Sequence, residues 1–517
     1  MKAWVLRHAL MIVVLVSFAH AQDYSITNIG WLPGLFDAKP YAINGSGQVV
    51  GVVGNEGVST FFNQHAFLWT KGIGIQDLGP GGAYGINDSG YVTGYISTDN
   101  CGYGAVIWKL DGSIQCLGIP QGWGNAINRH GEVAGLQAWP NRSAFFWSPT
   151  TGVQYFGADY ANGMNDARQV VGRKSQGANE IHAYLWTEAS GLMDLGTLGG
   201  DSSIASGINN SGQVVGYSTA IPGNSVPYHP FLWTQAGGMQ DLGVGTTWAA
   251  SPAGANALNK KGQVVGKIYA PLYHAALWTK DGVRDLNDHI AASSGWLLDE
   301  ATAINDAGQI AVTAYKAGNY QLHALVLSPK MTTTLISSRN PCFVGQTVRF
   351  TATVTNSIQG PPPNGESVVF TRGTTVLGTG TLYKGVAQLS TSSLTAGGHS
   401  VNATYIGDIN YAKSSAAIEQ VVNKWPTRTT LVSSLNPSNY RQAVTLTATV
   451  HSQGPTPTGR IIFRYGANGI AAVPLTEGIA SVTISWLPVG TDLITAWYQG
   501  SSASQPSTSA ELKQVVK

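Results

Sequence analysis

Histidine recurs at one position of a repeated phrase: His65 in HAFLWT, His182 in HAYLWT and His229 in HPFLWT, with His274 and His323 in equivalent places. Aspartate recurs in a second phrase, IQDLG and its variants, as Asp77, Asp194, Asp241 and Asp285. Imidazoles suggest metal ligation or proton transfer, and carboxylates suggest acid–base work. Turns such as Asn44-Gly45-Ser46-Gly47 and Asn305-Asp306-Ala307-Gly308 are oxygen-rich enough to suggest a calcium loop. Repetition argues against all three. Chemistry happens once in a molecule, so a catalytic group must break the pattern, whereas a residue present in every copy serves the copy.

The details agree. Strand alternation puts His65, Phe67 and Trp69 on one face and Ala66, Leu68 and Thr70 on the other, so the histidines are expected to be hydrogen-bonded packing residues. Trp69, Trp108, Trp147, Trp186, Trp233 and Trp278 are expected to pack likewise. The recurrent Asp is read as structural. Lys260-Lys261 in one of the oxygen-rich turns would repel a cation, so no metal is expected. There is no P-loop, HExxH, GxSxG or CxxC, and a Ser-His-Asp set is defined by geometry rather than order. No catalytic residue and no cofactor are assigned. A polysaccharide-acting enzyme would need two converging carboxylates, and the acids outside the repeat pattern are Asp37, Asp99, Asp159, Asp201, Asp299 and Glu300.

The elements that hold these residues are short strands. An Asn recurs at Asn44, Asn87, Asn128, Asn165, Asn209, Asn259 and Asn305, and each copy carries four apolar pieces of about five residues punctuated by Gly or Asn. That spacing is the one expected of propeller blades. Asn-x-x-Gly between the first and second pieces reads as a type I turn with Asn first and Gly fourth. One copy, Asn165-Asp166-Ala167-Arg168, places Arg where Gly belongs and should be strained by roughly 1 kcal/mol. The seventh copy lacks its fourth piece, and an unmatched one, ITNIGWLPG at 26–34, precedes the first. The expected fold is all-β: a seven-bladed β-propeller closed by the N-terminal strand, followed by two Ig-like β-sandwiches. An open β-solenoid is the alternative.

Residues 24–329, through INNSGQVVGY, HPFLWT and LGTLGGDSS, resemble the extracellular HAF-repeat family, which implies an exported propeller-like protein and carries no catalytic residues. After Lys330 the rhythm changes. TTTLISSRNPCFVGQTVRFTATV at 332–354 returns as RTTLVSSLNPSNYRQAVTLTATV at 428–450, one sandwich length later. These modules resemble bacterial Ig-like domains of the group 3 type that end in a Tyr-x-Gly-Asp turn. The first keeps Tyr405-Ile406-Gly407-Asp408; the second has Tyr498-Gln499-Gly500-Ser501 and has lost the acid.

The expected domains are 1–21, a signal peptide; 22–329, the propeller; and 330–424 and 425–517, the Ig-like modules. Lys2 and Arg7, the apolar run Ala9 to Phe18, and Ala19-His20-Ala21 point to cleavage after Ala21 and a secreted, extracellular protein. No later stretch is apolar enough to span a bilayer. An oxidising compartment could bridge Cys101 and Cys116, while Cys342 has no obvious partner. Charged residues make up 11% of the chain and the net charge is +2, which excludes the basic stripe a nucleic-acid binder needs.

Loops after the second and fourth strands are the long, variable ones, and function is expected on their rim. That rim carries Trp31, Phe61, Phe62, Tyr103, Trp123, Trp139, Tyr228, Tyr273, Trp248 and Trp296, aromatics suited to stacking on sugar rings. The expected function is a monomeric, exported, non-enzymatic binding or adhesion protein. It would present its rim to an extracellular glycan or surface protein, with the Ig-like modules as spacers. A surface protein without a specific ligand, or a polysaccharide hydrolase or lyase, are the alternatives.

Overall fold

The computed structural model describes residues 23–55, 64–98, 101–177, 180–223, 228–243, 253–270, 272–356, 358, 360–408 and 410–517. The expected leader, Phe61, Phe62, Asp99 and Trp248 lie outside them. The fold is all-β. Among the described residues, helix is confined to short 3-10 turns such as Leu286–His289 and Ala292–Ser294. The chain divides into two compact units, one built on residues up to Lys330 with 356–359 and 408–412, the other on the rest of 331–517.

The first unit is a succession of antiparallel four-stranded sheets. Sheet 1 comprises Asp37–Ile43, Val49–Gly54, His65–Thr70 and the first half of Gly74–Ile86; residues 81–86 of that last strand open sheet 2, which continues through Val92–Ile96, Ala105–Trp108 and Ile114–Cys116. Sheets 3 to 6 begin at Gly122–Ile127, Tyr160–Met164, Ser203–Ile208 and Gly254–Leu258, and each takes the next three strands in order. Sheet 7 differs. Trp296–Ile304, Ile310–Lys316 and Asn319–Pro329 are joined by Tyr24–Asn28 from the start of the chain, in the register Tyr24↔Pro329 to Asn28↔Leu325. This segment is anchored further where Asp23 N–H donates to His289 O at 3.1 Å and the Asp23 carboxylate lies 2.7 Å from His289 Nδ1.

Cores lie between sheets. Val50, Ala66, Ala83, Val92, Val106 and Trp108 pack sheet 1 on sheet 2, and Val171, Ala183, Ala205, Val214, Phe231 and Trp233 pack sheet 4 on sheet 5. Ala38, Val49, Phe67 and Trp69 of sheet 1 pack on Ala303, Ala311, Ala324 and Val326 of sheet 7. The six repeat tryptophans are all buried, each filling one of these junctions.

The repeated Asn does more than turn the hairpin. Its Oδ1 accepts the N–H of the residue four on, as Asn44 does from Gln48 and Asn305 from Gln309, both at 2.9 Å. Its Nδ2 reaches the next sheet. Asn44 donates to Asn87 O, Asn87 to Asn128 O, Asn165 to Asn209 O, Asn209 to Asn259 O and Asn259 to Asn305 O, at 3.0–3.2 Å. Asn305 then donates to Asn44 O at 3.0 Å. The acidic turn residues serve their neighbours too: Asp88 Oδ1 accepts Gly45 N–H, and Asp306 Oδ1 accepts Lys260 N–H. The carboxylates that suggested a calcium loop are thus occupied by backbone.

One junction departs. Asn128 Nδ2 donates to Glu132 Oε2 at 2.8 Å, as Asn44, Asn165, Asn209, Asn259 and Asn305 donate to a Gln at the same place, but among the described residues it alone of the seven makes no bond across to the next sheet. Arg168, in the glycine position with φ of 60°, crosses in its place, with Nε 3.1 Å and Nη2 2.8 Å from the two Glu132 oxygens. The strained Arg therefore neutralises a glutamate that is only 3% exposed. We expect Arg168→Gly alone to lower the melting temperature, because it relieves strain but strands a buried carboxylate. Adding Glu132→Gln, which restores the Gln that five of the other six sheets carry here, should recover the loss. Equal melting temperatures for Arg168→Gly and the parent would contradict this reading.

The second unit holds two modules, each a three-stranded sheet facing a larger one. The first pairs Thr332–Ser337, Val348–Thr355 and Val386–Thr391 against the sheet centred on Gly397–Tyr405, and the second pairs Thr427–Ser433, Val444–Ser452 and Ile479–Ile484 against the sheet centred on Gly490–Tyr498. Asp408 Oδ1 caps its turn by accepting the N–H groups of Asn410 and Tyr411; Ser501 Oγ accepts those of Ala503 and Ser504, so the lost acid is replaced in kind. Trp425 ties the modules. Its ring stacks on Phe343 with centroids 4.5 Å apart, its Nε1 donates to Val344 O, and its N–H donates to Ala503 O.

Candidate functional site

The recurrent His and Asp belong to one another. His65, His182, His229 and His274 hold Nδ1 2.5–2.9 Å from Asp77, Asp194, Asp241 and Asp285. The other oxygen of each Asp accepts a backbone N–H two residues on: Gly79, Gly196, Gly243 and Asn287. Each pair ties the third strand to the turn leaving the fourth. These groups are committed to structure, and among the described residues no cluster of His, Cys, Asp or Glu is placed to hold a metal ion.

His323 breaks this pattern. Its fourth strand comes from the chain start and carries Asn28 in the aspartate place, where Asn28 Oδ1 still accepts Gly30 N–H. The His323 ring is 6% exposed, has no hydrogen-bond partner for either nitrogen, and packs between Trp31 at 4.5 Å and Trp296 at 4.7 Å. Burial, then nearby Lys316, holds its pKa below the usual histidine value, with Asp37 opposing. The folded state therefore resists protonation. The contribution is fully present above the unfolded value of about 6.5 and is lost as pH falls from there through the lower folded value. We expect the stability of His323→Phe to fall less than that of the parent as pH drops below about 6.5, in chemical denaturation series. Parallel curves would contradict this.

The first strands position a pocket. Every first strand contains a bulge, and the extra residue is Tyr41, Tyr84, Asn125, Asn162, Ser206, Asn256 or Thr302 in sheets 1 to 7. Bulges re-aim side chains and are common beside binding sites. The glycine ending the second-strand phrase makes room for them. A Cβ on Gly51, Gly94, Gly135, Gly172, Gly216 or Gly266 would meet the first-strand carbonyl two residues before the bulge at 1.9–2.1 Å. In sheet 7, Val312 replaces this glycine, and the first strand carries a second irregularity between Leu298 and Glu300.

What the bulges present differs around the unit. The bulges of sheets 1 and 2 join an aromatic cluster that extends to sheet 3: Tyr41 meets Tyr84 edge-on at 4.9 Å, Tyr84 stacks on Tyr95 at 6.1 Å, and Tyr95 meets Trp123 edge-on at 6.1 Å. Burial raises the pKa values of Tyr41 and Tyr84, so both phenols stay protonated. Asn125 Nδ2 donates to Ala161 O, and Asn162 Nδ2 to Ala205 O. Sheets 6, 7 and 1 are ionic. Glu300 is 3.2 Å from both Lys39 Nζ and Lys267 Nζ and accepts from Asn256 Nδ2. Burial opposes the Glu300 charge, but the two lysines outweigh it and hold its pKa below the carboxylate norm. Both of its oxygens are engaged. Asp37, Asp159 and Asp201 each accept a backbone N–H, from Leu322, Ser175 and Gly223. Burial raises the pKa of Asp299, which lines a separate pocket of about 390 Å³ with Tyr273, Tyr315 and Tyr320.

The main pocket, about 560 Å³, is lined by Tyr41, Tyr84, Trp123, Asn125, Leu136, Ala138, Arg142, Tyr160 and Asn162. That volume suits a small ligand. Tyr160 lies under Arg173 at 4.0 Å and beside Arg142 at 5.1 Å.

Residues 334–423 and 431–517 match the bacterial Ig-like domain (group 3). No curated protein matches the chain. Solved structures it resembles include the fibronectin(III)-like modules of CbhA from Clostridium thermocellum, 14% identical over 35% of this chain and 95% of that one, with a TM-score of 0.17. The Yersinia pseudotuberculosis adhesin InvE is 17% identical over 35% of this chain and 58% of its own, with a TM-score of 0.22. The D0-D1 domain of intimin is 16% identical over 36% and 97%, with a TM-score of 0.14.

Of the aromatics singled out in the sequence that lie among the described residues, only Trp123 lines the main pocket, and Tyr273 lines the second. Trp31 and Trp296 enclose His323, and Tyr228 packs edge-on against Tyr217 at 5.2 Å. Tyr103 and Trp139 are exposed, at 54% and 65%. A disulfide joins Cys101 and Cys116. Cys342 is buried with its sulfur 3.6 Å from Gln420 Nε2. Sequence reasoning missed Tyr41, Tyr84, Tyr160, Asn125, Asn162 and Arg142. For Tyr41, Tyr84, Asn125 and Asn162 a signal was available: three residues before the repeated Asn the residue runs Tyr, Tyr, Asn, Asn, Ser, Asn and Thr along the chain, so its type is not kept.

Proposed function

We propose that the chain is an exported binding protein. In this reading a leader is cleaved after Ala21, residues 22–329 form a seven-bladed propeller of HAF-repeat type closed by the N-terminal strand, and the modules at 330–424 and 425–517 act as spacers. Closure is supported by the bond from Asn305 to Asn44, the shared core of sheets 7 and 1, and the pairing of Tyr24–Asn28 with Asn319–Pro329. Such closure removes open sheet edges. Among the described residues no helix is long and apolar enough to cross a membrane.

The pocket on the first-strand bulges carries the functional reading. It joins four aromatic rings, two side-chain amides and one guanidinium in a preformed cleft. Flat aromatic faces stack on the C–H faces of sugar rings, and amides flank them to read hydroxyls. We propose a glycan as ligand, bound without chemical change. Arg142 is the only charged residue among the described residues that line the pocket, and Glu300 is committed to its lysines. A glycan array probed with the full chain tests this. Trp123→Ala and Tyr160→Ala should each weaken binding about ten-fold, while Trp139→Ala, exposed and outside the pocket, should bind as the parent does. Undiminished binding by both pocket variants would overturn it.

A further inference from the structure

The pocket's charge is unbalanced. Arg142 and Arg173 both approach one ring, that of Tyr160, with guanidinium carbons 5.1 and 4.0 Å from its centroid. Among the described residues neither arginine has an ion-pair partner. The neighbouring acid, Asp159, spends Oδ2 on the Ser175 N–H and hydroxyl. Across the first strands, by contrast, Lys39 and Lys267 are matched by Glu300 and by the nearby Asp299, so the uncompensated positive charge lies with the two arginines.

Gathering like charges is unfavourable unless an anion completes the site. Arg142 is exposed at the pocket wall, where its fork is free to meet an incoming group. A guanidinium matches a planar carboxylate in a two-point hydrogen bond. Tyr84 and Trp123 line the same pocket as Arg142.

Resting on the glycan reading above, we infer that the pocket takes an acidic sugar, a pyranose bearing a carboxylate. Its ring would stack on the aromatic faces and its carboxylate would pair with Arg142, with Arg173 adding a long-range attraction. Neutral sugars of the same shape would bind more weakly.

Titration calorimetry on the full chain tests this with uronic-acid hexamers, galacturonate and mannuronate, and with the methyl ester of each, which keeps the ring and removes the charge. At least one free acid should bind about ten-fold more tightly than its ester. Added salt should reduce that difference. Arg142→Gln should abolish the preference, weakening acid binding more than ester binding, while Trp123→Ala should weaken both alike. Equal binding of acid and ester, or an acid preference that survives Arg142→Gln, overturns the inference and leaves the glycan reading standing. A sulfated neutral hexamer that binds where neither acid does overturns the carboxylate assignment. If the array and calorimetry find no sugar at all, the glycan reading itself fails.

Discussion

One side-chain amide, repeated, holds the first unit together. The Asn that opens each hairpin accepts from its own turn through Oδ1 and donates to the next sheet through Nδ2, as Asn259 does to Asn305 O at 3.2 Å. A buried amide satisfied on both ends is worth more than a turn preference alone, and its loss would leave carbonyls unpaired at a junction. The exception at Asn128 makes the same point. Where the amide bond is missing, a glutamate–arginine pair crosses the junction, and the arginine accepts a left-handed backbone to do so.

That scaffold frees the first strands to vary. The glycine of the second strand lets the first strand bulge toward it, and the bulge turns one residue per sheet out of the ladder. Aromatic residues occupy this place in sheets 1 and 2, amides in 3, 4 and 6, and small hydroxyls in 5 and 7. The resulting wall is aromatic on one side and ionic on the other. A repeat thus produces a surface that is not repetitive, which a specific binding site requires.

Much of the fold was legible because it rests on local chemistry. Turn residues, strand-length apolar pieces and a displaced ITNIGWLPG are read from neighbouring residues, and the 332–354 and 428–450 repeat is visible by eye. The partnership of His65 with Asp77 was not read, because each residue was weighed alone rather than as two ends of a strand pair. The site was read only at Trp123. Loops attract attention as variable segments, but here the bulge turns Tyr41, Tyr84 and Asn125 out of the ladder from within a regular strand, and the varied position before each Asn shows that the residue differs without showing that the backbone turns it outward. Charge balance was also out of reach, since it depends on which of Lys39, Lys267, Arg142 and Arg173 finds a carboxylate.

The proposed ring depends on its last strand being supplied by the first residues of the folded chain. Native-state hydrogen exchange read by mass spectrometry measures this directly. The account predicts that the peptide covering 24–29 is protected and exchanges in step with the peptide covering 319–329, since their amides open together. Exchange of 24–29 at the rate of an unstructured segment, with 319–329 still protected, would contradict it.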